Sequence, residues 1–545
     1  MKLVLLLLGI LIPVYGQIFI NQQKWSLTLT TQANLEKIYH VEEELLQTFS
    51  IFLRQEQFYH KLDKKRSPDD DDDDEEEKHE HAHAHNASKS HLEDVKKNIE
   101  LLENAKRVHK IVSNRVMNYI SHPINVYHML RRVRTINTAV TGVFENKACK
   151  AWKMPELTYR LQNINSSVPT EEHFENVAYD LVMLQHIYNL TENDLFSGNL
   201  FNQSSIEPLS PRDIYDIARI AYKRQDYYYA IRWARYLTEL FNTYDVPDDR
   251  YGFSMKNLFA IMSSSYYPLK QYKSAMISAQ MILRLDPDNK LAQVNEKFFE
   301  KLIDQDKKIP LRRIPPGDKT RRKYEAMCRG TLKKPAKLAK QYKCKYQRGK
   351  NLFIYHKMEV MNMKPKIIVF HDVFNRDIGD AVAYLGYKPL SEASYKNRMY
   401  FQSPHFTSIP RDRTRTQWVK ELTNRLEALP MTSTKPYTQG ILEVRNIGFE
   451  GMYYDIADAK NWVPKLGGGN TASMFAFLKD VKAGGEMVFP YHRVRITPRL
   501  GSVVYYLASR SFMMVCPVAY GTEWLSVMSF YEQPKYGFCR DHERP

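Results

Sequence analysis

Apolar positions recur at helical spacing through the first three hundred residues and at strand spacing through the last two hundred. Over 34–55, Leu35, Ile38, Leu45, Phe49 and Phe52 make a heptad-like stripe that Glu42 breaks. Over 92–112, Leu92, Val95, Ile99 and Leu102 repeat it. Two long amphipathic helices are predicted, as a helical hairpin, a coiled-coil dimer or part of a bundle. From about 210, Ser210 supplies a helix cap, Pro211 a first turn and Asp213 a charge near the helix dipole. Ile214, Ile217, Ala218 and Ala221 form the following face, and a second helix runs through Ala230 and Trp233 to Leu240. The pattern returns before closing at Asp286-Pro287. Antiparallel helix pairs with Ala at the crossings and Pro at the exit predict tetratricopeptide-like repeats over 170–305. After a basic linker, 306–350, short apolar runs ("KIIVFHDV", "QGILEVRNIGF", "ASMFAFLKDV", "EMVFP", "GSVVYYLA") predict an antiparallel β-sandwich or jelly roll over 351–545. Helices around 376–385 and 414–427 are expected outside it.

Composition refines this. Lys2 followed by the apolar run Leu3–Pro13 and Tyr15-Gly16 predicts a cleaved signal peptide over 1–16. No later stretch reads as a membrane span. A lumenal or secreted chain turns the net charge of +17 towards acidic partners rather than nucleic acid. It also makes Asn86, Asn165, Asn189 and Asn202 candidate glycosylation sites and lets the five cysteines (149, 328, 344, 516, 539) form two bridges. Nine carboxylates in a row, Asp69–Glu77, followed by His79, His81, His83 and His85, predict a disordered acidic-His insert over 64–90 within a helical region, 17–140. The insert is either a low-complexity loop or a loose zinc or copper site. The repeat region is rich in tyrosine (222, 227–229, 266, 267), the residue type that stacks on proline rings.

"HPINVYHMLRRVRT" (122–135), "AYKRQDYYYA" (221–230), "LDPDN" (285–289), "YEAMCRG" (324–330), "LKDVKAGGEMVFP" (478–490), "LGSVVYY" (500–506) and "CPVAYGTEW" (516–524) together resemble the α subunit of collagen prolyl 4-hydroxylase over nearly the whole mature chain. The resemblance implies an α+β multidomain protein: a helical dimerisation region, a TPR-like peptide-binding domain and a C-terminal double-stranded β-helix (jelly roll). It implies Fe(II), 2-oxoglutarate, O2 and ascorbate as cofactors, and the endoplasmic reticulum lumen as location. The implied partners are protein disulfide isomerase, other α subunits and proline-rich or collagen-like peptide. Bridges Cys328–Cys344 and Cys516–Cys539 are implied, with Cys149 unpaired.

Set on the family's motifs, the oxygenase site is incomplete. Such enzymes hold iron with two histidines and one carboxylate. In "GMYYDIADAK" the carboxylate is kept as Asp458, but the histidine two residues before it is Ile456; the second histidine is Met513. The lysine that pairs with 2-oxoglutarate is Glu523, a family tyrosine is Phe477, and a threonine is Met487. Reversing one charge of such a pair turns an attraction of about 4 kcal/mol at 4 Å into a repulsion of the same size. Asp455, His492 and Glu523 are the nearest substitutes in sequence; Asp455 falls on the opposite strand face from Asp458. The expectation is a pseudoenzyme, with an active hydroxylase using other ligands as the alternative, and Asp458 left with a structural hydrogen bond. In the groove, Tyr227, Tyr228 and Tyr267 match family tyrosines, while two others are Ile261 and Ser264.

Overall fold

A computed structural model describes residues 29–66, 95–145, 155–165, 167–241, 251–303, 319–336, 344–350, 353–396, 406–409, 417–430, 442–449, 470–507 and 511–531. The first 28 residues, the acidic-His insert with Asn86, and Cys149, Asp455, Ile456, Asp458 and Cys539 fall outside them, as does the side chain of Asn165. Among the described residues no helix is long and apolar enough to cross a membrane.

Among the described residues, the long helices before the repeats are α1 (Gln32–Arg66), α2 (95–112), α3 (Pro123–Glu145), α4 (Pro155–Asn165) and α5 (Glu171–Tyr188), with short helices at Val116–Ile120 and Glu192–Ser197. The predicted stripe is the buried face. Leu35, Ile38, Leu45, Phe49 and Phe52 share one intrachain core with Val95, Leu102 and the α3 residues Tyr127, Leu130 and Val133. Within this chain the two stripes are therefore walls of a bundle. Glu42 breaks the stripe because it is half of a buried ion pair. It is fully buried. Arg132 Nε and Nη2 of α3 donate to its two oxygens at 2.5 and 3.0 Å, and His109 Nδ1 of α2 lies 3.2 Å away. Burial alone would raise the carboxyl; Arg132 and His109 outweigh it and hold Glu42 below the usual carboxylate range.

The repeat region follows as α6 (Pro211–Lys223), α7 (Tyr227–Phe241), α8 (Met255–Tyr266), α9 (Tyr272–Leu285) and α10 (Lys290–Ile303). Its opening is the predicted cap: Asp213 N–H donates to Ser210 Oγ at 3.2 Å and Ser210 N–H to Asp213 Oδ2 at 2.7 Å. Ile214, Ile217, Ala218 and Ala221 are buried. Asp213 also pairs with Arg131 of α3, tying the repeats to the bundle.

The stretch 306–350, expected to be a basic linker, is partly built into the fold. Helix α11 (Lys319–Cys328) exposes Arg322 and buries Tyr324, Met327 and Cys328 against Met514 and Cys516 of the β domain. The first strand, β1 (Cys344–Arg348), pairs with β2 (Tyr355–Asn362). Further strands of the β domain are β3 (Ile367–His371), β4 (Phe406–Ile409), β5 (Leu442–Ile447), β6 (Asn470–Phe477), β7 (Met487–Phe489), β8 (Val494–Ile496), β9 (Val503–Tyr506), β10 (Met514–Val515), β11 (Val518–Tyr520) and β12 (Glu523–Tyr531), with the two-residue strand Ala483–Gly484 pairing with β11. The main sheet runs β1-β2-β3-β9-β6-β12-β5-β4, and β8-β7-β10 forms a smaller one. All these pairings are antiparallel. Apolar side chains from both sheets meet in one interior, which is the expected jelly-roll arrangement. Outside the main sheet pack α12 (Arg376–Lys396), eleven residues longer than expected, and α13 (Gln417–Glu427).

The disulfide is a correction. Cys328 is bonded to Cys516, their Cα atoms 5.7 Å apart, and not to Cys344. Helix α11 carries Cys328 beneath β10, whereas Cys344 starts an edge strand and is an exposed free thiol. Cys516 is thereby taken, so the expected Cys516–Cys539 bridge does not form.

Candidate functional site

Strand alternation decides what faces the interior of the β domain. On β12, Trp524 and Met528 belong to the core under α12 and α13, while Leu525 and Val527 belong to the core between the sheets. Glu523 shares the face of Leu525 and Val527. Phe477, Met487 and Met513 lie in that same inter-sheet core, 0 %, 0 % and 7 % exposed. The structure therefore brings together four of the altered positions read from the sequence, in a space filled by Phe489, Val515, Val518 and Leu525.

Glu523 is the one ionisable group among them. It is fully buried, and neither carboxyl oxygen has a hydrogen-bond partner. Burial pushes its carboxyl well above the usual range, and the neighbouring Glu486 adds to the shift. Glu486 is itself raised by burial, although Arg495 pairs with one of its oxygens and opposes this. The other, Oε2, has no partner. Gly485, with φ +74°, leaves room for Glu523: a Cβ there would stand 3.2 Å from Oε2. Without a partner in this interior, the carboxyl is shifted towards its neutral form, because ionising it there is costly. In either protonation state it offers no counter-charge to an anionic cosubstrate.

The metal half gives the same result. The thioether of Met513 is a soft donor enclosed by apolar side chains, and Ile456 has no lone pair. His492 lies half-buried in the turn between β7 and β8. Among the described residues, no group of three or more His, Cys, Asp or Glu is placed to hold a metal ion. The residues present do not fit Fe(II) with 2-oxoglutarate, and no oxidation step is derived for them.

Two features beside this core escaped sequence reading. At one rim, Tyr188 from the end of α5 donates to the Pro517 carbonyl at 2.5 Å, and Gly485 N–H donates to the same oxygen at 3.1 Å. Tyr188 is held well above its ordinary pKa by burial, then by Glu486. On the outer face, Trp524 Nε1 donates to Gln32 Oε1 at 3.0 Å, Gln32 N–H to Asn446 Oδ1 at 2.7 Å, and Asn446 Nδ2 to the Glu523 carbonyl at 3.1 Å. The start of α1 thus braces the strand that carries Glu523. Neither contact has a local motif, because each joins residues hundreds of positions apart.

The groove tyrosines divide. Tyr229 and Tyr266 are buried, hydrogen-bonded to His186 and Arg235. Tyr222 and Tyr267 are exposed at 38 % and 37 %, and Tyr227 and Tyr228 are half-buried. Tyr222 meets Tyr227 edge-on with ring centres 5.9 Å apart, and Arg232 lies 5.4 Å from the Tyr228 ring. Ser264 is exposed and Ile261 half-buried on the α8 face that leads to Tyr267. The exposed rings of Tyr222 and Tyr267 suit an extended peptide rich in proline. Asn189 and Asn202 are exposed, each at a positive-φ turn position that asparagine tolerates.

Two family models match the chain. Residues 84–202 match the prolyl 4-hydroxylase alpha-subunit N-terminal region, and 211–305 the prolyl 4-hydroxylase peptide-substrate-binding domain. Prolyl 4-hydroxylase subunit alpha-1 of Homo sapiens is 24 % identical over 490 residues, covering 82 % of this chain and 89 % of that one. Subunit alpha-2 of Gallus gallus is 23 % identical over 460 residues, covering 76 % and 83 %. Among solved structures, a viral collagen prolyl hydroxylase of Paramecium bursaria Chlorella virus-1, in complex with 2OG, aligns at 12 % identity with a TM-score of 0.21, over 30 % of this chain and 95 % of that one.

Proposed function

Starting from a chain that belongs to the prolyl 4-hydroxylase α-subunit family, we propose that it is a non-catalytic member that has kept the peptide-binding role. One observation carries this reading: the interior that should receive iron and 2-oxoglutarate is closed by Phe477, Met487 and Met513 around an unpartnered carboxyl at Glu523. The exposed tyrosines of α6 to α8 bind proline-rich or collagen-like peptide, and the protein acts in the endoplasmic reticulum lumen or outside the cell. There the 1–16 segment is removed, and Asn86, Asn165, Asn189 and Asn202 are open to N-glycans. Its partners are protein disulfide isomerase or other α subunits.

The test is to purify the chain with disulfide isomerase and follow 2-oxoglutarate consumption on a proline-rich peptide with Fe(II) and ascorbate. Peptide binding is measured in parallel by calorimetry. Binding without turnover is the expected result. Turnover above a metal-free control, abolished by Asp458→Ala, would overturn the proposal and restore a hydroxylase with other ligands.

A further inference from the structure

The outer surface of α10 is not what the end of a helical array normally presents. Stacked helix pairs stay soluble because their terminal helix turns polar residues outward. The inner side of α10 is satisfied: Ala292 and Phe299 are buried, and Glu296 accepts a hydrogen bond from Gln280 Nε2 of α9 at 2.9 Å. The outer side carries Leu291, Val294 and Phe298, 70 %, 57 % and 43 % exposed. Steps of three and four residues align them in one stripe about 10 Å long. The Phe298 ring, 5.6 Å from that of Tyr267, carries the apolar surface to the edge of the peptide-binding region.

Charge says what fits there. Lys290, Lys297 and Lys301, all exposed, stand at spacings of seven and four, within about 40° of arc on a single flank of the stripe. On the other flank the helix leans on α9. An incoming helix therefore meets an apolar strip with one basic border. A second copy is disfavoured, because an antiparallel two-fold pairing sets each lysine row against its twin. We propose that this face of α10 docks an amphipathic helix of a partner protein whose flank beside the apolar stripe carries a row of Glu or Asp.

The test uses the full chain and two labelled helical peptides about three heptads long, with leucine at the a and d positions and either glutamate or lysine on the flanks. The Glu-flanked peptide should bind, and the Lys-flanked peptide about tenfold more weakly or not at all. The double change Leu291→Ser with Val294→Ser, which leaves Phe298 and its Tyr267 contact in place, should weaken the Glu-flanked peptide about tenfold. The pair Lys297→Glu with Lys301→Glu should reverse the preference between the peptides. Proline-rich peptide binding and the helical circular dichroism signal should be unchanged in each variant. Equal binding of both peptides, no binding of either, or indifference to these substitutions would overturn the proposal. So would a concentration-dependent dimer of the chain that Phe298→Ser dissolves, which would make a second copy the occupant.

Discussion

Replacing Glu523 by Gln keeps the shape of the side chain and removes one proton-binding group from the β-domain interior. In the folded chain burial, reinforced by Glu486, holds that carboxyl well above 4.5; in the unfolded chain it titrates near about 4.3. Between those two values the folded state keeps a proton that the unfolded state has released. The stability linked to this group is therefore complete below the unfolded pKa and declines as pH rises towards the folded one. One proton fixes the steepest decline at about 1.4 kcal/mol per pH unit. Wild type should thus lose stability from about pH 5 upward faster than Glu523→Gln, by up to that slope. Glu486 and Asp180 contribute declines of the same sign, Asp180 because burial raises it to about 7. Asp180 is present in both proteins and cancels, whereas Glu486 is coupled to Glu523, so the difference reports Glu523 together with that coupling. Urea-unfolding midpoints at several pH values supply the measurement. Parallel curves, or a Gln variant less stable at every pH, would refute the reasoning, since either means that the carboxyl is ionised and partnered.

Other consequences are open to direct measurement. Arg132→Met leaves Glu42 buried without its counter-charge and should cost about 3–5 kcal/mol, seen as a lowered melting temperature; adding Glu42→Gln should recover part of it. Ser210→Ala removes one half of the capping box and should cost about 1 kcal/mol, and no loss would mean that the Asp213–Arg131 pair alone sets that helix start. Non-reducing peptide mapping should find Cys328 joined to Cys516; a Cys328–Cys344 peptide would contradict the α11 docking. The combined substitutions Ile456→His, Met513→His and Glu523→Lys should give calorimetric Fe(II) and 2-oxoglutarate binding where the proposal expects none from the natural chain, whereas Glu523→Lys alone should give no iron binding.

Sequence patterning located features whose cause is local. The stripe from Leu35 to Phe52, the Ser210–Asp213 cap and the interior strands of the β domain all follow from residues a few positions apart. The altered oxygenase positions were read from neighbouring family motifs, and the structure places Phe477, Met487 and Met513 in one core. Distant pairing was not legible. Glu42 read as a flaw because its partner Arg132 is ninety residues away on another helix. The run 306–350 read as a linker because it is rich in Lys and Arg, and of the apolar residues of α11 only Tyr324, Met327 and Cys328 join the docking core. The cysteine pairing came from the family resemblance and not from patterning; the docking of α11 places Cys328 beside Cys516 instead.

The position of β12 constrains how the chain is made. Although it is the last of the described strands, it lies inside the main sheet, between β6 and β5. Until it emerges from the ribosome, the earlier strands exist as two half-sheets, β1-β2-β3-β9-β6 and β5-β4, each with a bare hydrogen-bonding edge. Unpaired edges of this kind recruit strands from other chains. A chain ending before Glu523 is therefore expected to expose the edges of β5 and β6 to pairing with other chains, until the strand that joins them has been made.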